Sequence, residues 1–92
     1  MPYVGEIVNY VLGNDSAMPG EIRPAIIVRV WSEVTVNLQV FTDGTNDYPA
    51  YFVSGGQIIG VHWKTSIPYS DDYQPGTWHY FILAVEMVSE GG

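Results

Sequence analysis

Cysteine is absent and positive charge is scarce. The chain has no Cys and only three basic residues, Arg23, Arg29 and Lys64, against ten acidic ones, for a net charge of −7. Without thiols there is no disulfide framework, no thiolate zinc site and no cysteine nucleophile, and an intracellular location fits. A protein that grips extended DNA or RNA neutralises several phosphates with a basic stripe, which so few cations cannot build, so extended nucleic acid is not expected as a partner. A small anion stays open, because two or three well-placed cations and backbone N–H groups can hold one phosphate or carboxylate.

Other signatures are missing too. The opening Met1-Pro-Tyr-Val has no basic segment followed by a long apolar run, so neither a signal peptide nor a membrane span is expected. There is no Gly-x-Ser-x-Gly elbow, phosphate loop or His-Glu-x-x-His helix, and no repeat, heptad pattern or useful amphipathic helix. The Thr42-Asp-Gly-Thr-Asn-Asp47 segment carries oxygen ligands but lacks the ligand number and terminal Glu of a calcium loop. No metal and no cofactor are expected.

What is present is strand-forming sequence. Ninety-two residues, 47% of them apolar, make one ordered domain (1–92) that buries about two-thirds of its unfolded surface. Arg23-Pro-Ala-Ile-Ile-Val-Arg-Val-Trp31 and Val34-Thr-Val-Asn-Leu-Gln-Val-Phe-Thr42 are β-branched runs separated by Ser32-Glu33, the pattern of a hairpin. A two-residue turn would put Arg29 opposite Val36. The register that keeps valines together pairs Arg29 with Asn37 and Ile27 with Gln39. It places Ile26, Val28 and Val30 inside with Val36, Leu38 and Val40, and Arg29, Trp31, Thr35, Asn37 and Gln39 outside.

Further strands are expected over Val4–Leu12, Gln57–Thr65 and Thr77–Val85, with the last run continuing towards Val88 as a subunit-contact candidate. In the Gln57–Thr65 strand, alternation sets Ile59, Val61 and Trp63 against Ile58, Gly60, His62 and Lys64. Loops are expected at Gly13–Glu21, around Met18-Pro19-Gly20, and at Ser66–Gly76, with a tight turn at Asp43-Gly44. Tyr48–Val53, interrupted by Pro49, suits a loop or edge strand, and Ser54-Gly55-Gly56 allows a bend. The fold class is all-β: a small SH3-like barrel or strongly curved antiparallel sheet of five to six strands, with a flattened sandwich as the second choice.

Arg23, Arg29, Trp31, Lys64, Tyr69, Trp78 and His79 form the candidate ligand-binding set, since aromatic faces stack on flat rings and guanidinium groups pair with phosphate or carboxylate. Trp63 and Trp78 have a second reading as core, which a small domain's need for large side chains favours. His62 and His79, each beside a tryptophan, read as partly buried histidines rather than catalysts, and Asp71-Asp72 as a solvated pair.

Two resemblances bear on function. Gly5-Glu-Ile-Val-Asn-Tyr-Val with Arg23-Pro-Ala-Ile-Ile-Val resembles the first two strands of MazF/PemK-type ribonuclease toxins, which implies an SH3-like barrel and places Arg23 where that family has a catalytic loop arginine. Gly20–Trp31, Val36–Asp47, Thr65-Ser-Ile-Pro-Tyr69 and Pro75-Gly-Thr-Trp-His79 look like segments of small bacteriophage and prophage proteins. That resemblance implies a phage accessory protein in the cytoplasm of the bacterial host. Small acidic phage proteins of this kind include homo-oligomeric sponges that sequester nucleotide-derived signals of bacterial immunity. The expected function is therefore non-catalytic binding of a small anionic nucleotide-like ligand. A structural or assembly role in the phage particle and a MazF-like ribonuclease are the alternatives.

Overall fold

Strand β1 (Ile7–Val11) is paired on both sides, antiparallel to β2 (Ile22–Val30) and to β5 (Trp78–Tyr80). With β3 (Thr35–Phe41) and β4 (Val61–Pro68) these make one five-stranded antiparallel sheet in the order β4-β3-β2-β1-β5. The computed structural model describes residues 1–49 and 60–81, so the expectations for Tyr48–Val53 beyond Pro49, for Ser54–Gly56, for Gln57–Ile59 and for the chain after Phe81 lie outside the described residues. Among those described, no helix is long and apolar enough to cross a membrane. The expected tight turn at Asp43-Gly44 is instead followed by a single helical turn, α1 (Gly44–Asp47).

The sheet curls until its edges meet. Tyr69, just past β4, bridges in parallel to Trp78 at the start of β5, and the Ser70 N–H donates to Trp78 O at 3.0 Å. This contact covers strand edges that would otherwise invite pairing with other chains. Val8, Tyr10, Ala25, Ile27, Val36, Leu38, Val40, Ile67 and Trp78 fill the enclosed face. The Trp78 indole is fully buried and donates its N–H to Val34 O at 3.0 Å, so the core reading is the right one for this tryptophan.

Two irregularities correct the expected register. In β2 the ladder slips between Ile27 and Arg29, so Ile27 pairs with Leu38 while Arg29 still pairs with Asn37. Val28 is the extra residue of a β-bulge. Ala25 and Ile27 therefore face the core, Ile26 faces outward, and Val28 is 40% exposed. Ala25 to Val28 are all apolar, so the sequence carries no alternation there from which to choose a face.

β4 holds the second slip. Val36 pairs with Ile67 but Leu38 with Lys64, leaving Thr65 and Ser66 together opposite Asn37. The strand thus runs through Ser66-Ile67-Pro68, where a loop was expected, and Ser66 takes the left-handed conformation at φ +55°. His62 and Lys64 turn inward and Trp63 outward. Trp63 is 48% exposed, which overturns the core reading for that residue.

Candidate functional site

The outer face of β2, β3 and β4 gathers exposed aromatic and cationic groups around one buried amide. The oxygen of Asn37 accepts from the Trp31 indole N–H at 2.9 Å, the Thr65 hydroxyl at 3.0 Å and the Ser66 backbone N–H at 2.8 Å. Asn37 is only 6% exposed, so its oxygen is shielded from competing water while it accepts from all three donors. Trp31 leaves β2 at the turn, 52% exposed and fixed at its N–H end. The Arg29 guanidinium lies 4.0 Å from the centre of the Trp31 ring and makes no ion pair among the described residues. The cation is held by the ring face and keeps its planar fork free for a ligand.

The same face continues along a row that crosses four strands. Ile7 pairs with Ile26, Ile26 with Gln39 and Gln39 with Trp63. Ile7 and Trp63, at the two ends, are about half exposed, and Phe41 is exposed nearby. A guanidinium, two half-exposed indoles, two hydroxyls and a side-chain amide can together stack on a flat ring and hold a bidentate anion.

The other sequence-chosen residues lie elsewhere. Arg23 donates through Nε and Nη2 to the two oxygens of Asp47, at 2.7 and 2.8 Å, and through Nη1 to Ile22 O. Asp47 is fully buried and also accepts the Asp43 N–H, and the Arg23 hydrogen bonds hold its carboxyl below the usual carboxylate range. Arg23 thus fastens α1 to β2 and has no free fork. Lys64 points inward, 2.7 Å from Asp15 and 4.9 Å from the centre of the Tyr48 ring. Tyr69 and Trp78 meet edge to face at the sheet's closure, 5.0 Å apart. His79 stacks on Tyr73 at 4.0 Å, with Nδ1 buried and unpartnered and its pKa lowered by burial.

Of the sequence set, only Arg29 and Trp31 are therefore brought together on the outer face, while Tyr69 and Trp78 meet at the sheet's closure. Sequence reasoning put Asn37 on the right face but missed its role as the group that pins Trp31 and also gathers Thr65 and Ser66, which the β4 bulge brings to it. It also missed a polar group of Tyr10, Tyr48, His62 and Lys64 at the inner face, joined at the surface by exposed Asp15. There Tyr48 stacks on His62 at 4.2 Å, and burial raises the Tyr10 pKa to about 12 and lowers that of His62. No single segment contains these residues, and only the tertiary fold unites them. No family model, no curated protein and no solved structure matches this chain.

Proposed function

We propose that the protein is a non-catalytic binding protein that holds a small, ring-bearing anion of the nucleotide class against the outer sheet face. Arg29 contacts the phosphate, and Trp31 or Trp63 stacks on the base. The observation that carries this reading is the Arg29–Trp31 pair, with its guanidinium unpaired among the described residues and its indole fixed by buried Asn37. A ligand would meet a preorganised surface and lose less side-chain freedom there on binding.

The net charge of −7 works against anions in general, so one local cation needs help. Association of two or more copies, pooling their Arg29 side chains, would supply it. Joined to the resemblance to small phage proteins, this favours a sponge-type accessory protein that sequesters a nucleotide-derived signal of anti-phage immunity in the host cytoplasm. Calorimetric titration with cyclic nucleotides and ADP-ribose derivatives tests it. Arg29→Ala should weaken binding roughly tenfold or more, the usual cost of a lost charged hydrogen bond. A folded sample that gives no heat with any of them removes the proposal.

A second reading rests on the exposed Ile7, Val28, Phe41 and Trp63 of the same face: a structural or assembly protein that recognises another protein there. Stoichiometric presence in purified particles would favour it. The ribonuclease alternative has less support, since the arginine it would use, Arg23, is engaged with Asp47.

A further inference from the structure

At the end of the barrel where the β2–β3 turn meets the sheet's closure lies an open cleft of about 260 Å³ lined by Met1, Glu33, Val34, Tyr69 and Tyr80. Its walls are aromatic. The Tyr69 and Tyr80 rings are 5.7 Å apart and tilted by 50°, and the buried Trp78 indole meets each of them edge-on at 5.0 Å. Two hydrogen bonds fix the position of Val34, whose carbonyl accepts both the Tyr69 backbone N–H at 2.8 Å and the Trp78 indole N–H at 3.0 Å. Glu33, next to Val34, is exposed and makes no ion pair among the described residues.

We propose that this cleft binds a small organic ammonium ion, quaternary or alkylated, with the tyrosine rings around the cationic head and the Glu33 carboxylate opposite it. Three features select this class. Tilted ring faces attract a weakly hydrated cation, and the attraction grows when the cation leaves water. Among the described residues the one charged side chain lining the cleft, Glu33, is negative, with the Met1 amino terminus also at the rim, and the net charge of −7 raises the local concentration of any cation. The cleft is also smaller than the roughly 300–1,000 Å³ of drug-sized pockets, so it suits a compact head group better than a nucleotide.

Neighbouring titrations agree with a negative setting. The Tyr80 hydroxyl is pushed up chiefly by burial, with the Glu6, Tyr69 and Glu33 charges adding to the shift. A hydrated metal ion is a poorer fit: one carboxylate and two phenols offer few ligands, and no cluster of three or more His, Cys, Asp or Glu exists among the described residues. This cleft is separate from the outer-face anion site and calls for the opposite charge.

The test is a ring-proton NMR titration of the whole chain with choline. The comparison compound is 3,3-dimethylbutan-1-ol, which has the same shape with carbon in place of the charged nitrogen. Choline should shift the Tyr69 and Tyr80 signals saturably, and the neutral alcohol should bind about tenfold more weakly or worse. Glu33→Gln, at an exposed turn position, should weaken choline several-fold and leave the alcohol unchanged. Equal affinity for the two compounds would show an apolar cleft without charge preference. That result, the absence of any saturable shift, or a Glu33→Gln variant that binds choline as the parent does would each overturn the proposal.

Discussion

Asn37 does more for the outer face than any side chain a ligand would touch. One oxygen satisfies an indole N–H, a hydroxyl and a backbone N–H, and without it the part-buried Ser66 N–H would lose its acceptor. A buried donor left without an acceptor costs roughly 1–3 kcal/mol, whereas the half-exposed Trp31 N–H can turn to water. Asn37→Ala should therefore cost about 2–3 kcal/mol in urea unfolding. Its Trp31 emission should also move to the red as the ring loses its anchor. Asn37→Asp retains the acceptor and faces Arg29 across the strand pair, so it should lose clearly less. Equal losses for the two variants would mean that side-chain shape, and not the acceptor oxygen, holds this corner together.

At the scale of elements, the strands were legible and their irregularities were not. All five observed strands lie within or overlap the β-branched and aromatic runs, and the Arg29–Asn37 pairing follows from keeping valines on one face. The bulges at Val28 and at Thr65-Ser66 left no local mark. Val28 sits in a continuous apolar run, and Thr65-Ser66-Ile67-Pro68 reads as the start of a loop because serine and proline usually end strands. Those bulges decide which tryptophan points outward, and so the candidate site was only half readable from sequence. The Ser66 backbone at φ +55° also stores strain, since a side chain there crowds its own carbonyl. Ser66→Gly keeps the N–H that bonds to Asn37 and should stabilise by about 1 kcal/mol, raising the melting temperature by roughly 4–8 °C. Tyr73, at φ +58°, offers a contrast, because its ring covers buried His79. Tyr73→Gly should relieve the backbone yet lower the melting temperature, and calorimetric scans of both variants decide between backbone strain and ring packing.

For the whole molecule, the buried titratable groups set the pH range over which the fold is stable. His62 and His79 have pKa values lowered by burial, so protonation favours the unfolded chain. Their contribution is complete above the unfolded value of 6.5 and is lost as pH falls through the folded values. Asp47, lowered by Arg23, acts in the same direction, but only below its unfolded value of 3.8. Tyr10, raised to about 12 by burial, and Tyr48, raised for the same reason, act at the other end. The unfolded phenols lose protons near pH 10 while the folded ones hold theirs, so stability falls as pH rises beyond that point. Self-repulsion opposes the acid limb, since the net charge of −7 shrinks as pH drops towards the sequence pI of about 4.3. In about 1 M salt, where the Debye length is only about 3 Å, that opposing effect is screened and the titrating groups dominate. The urea midpoint should then be flat from pH 7 to about 9.5, decline below 6.5 and decline again above 10. Replacing His79 by Phe, which keeps a ring against Tyr73 and removes the proton site, should make the acid limb shallower and leave the alkaline limb as it was. A midpoint that rises steadily from pH 7 to 5 in high salt would mean that carboxylate repulsion governs this fold even when screened, and that the buried imidazoles contribute little to its acid sensitivity.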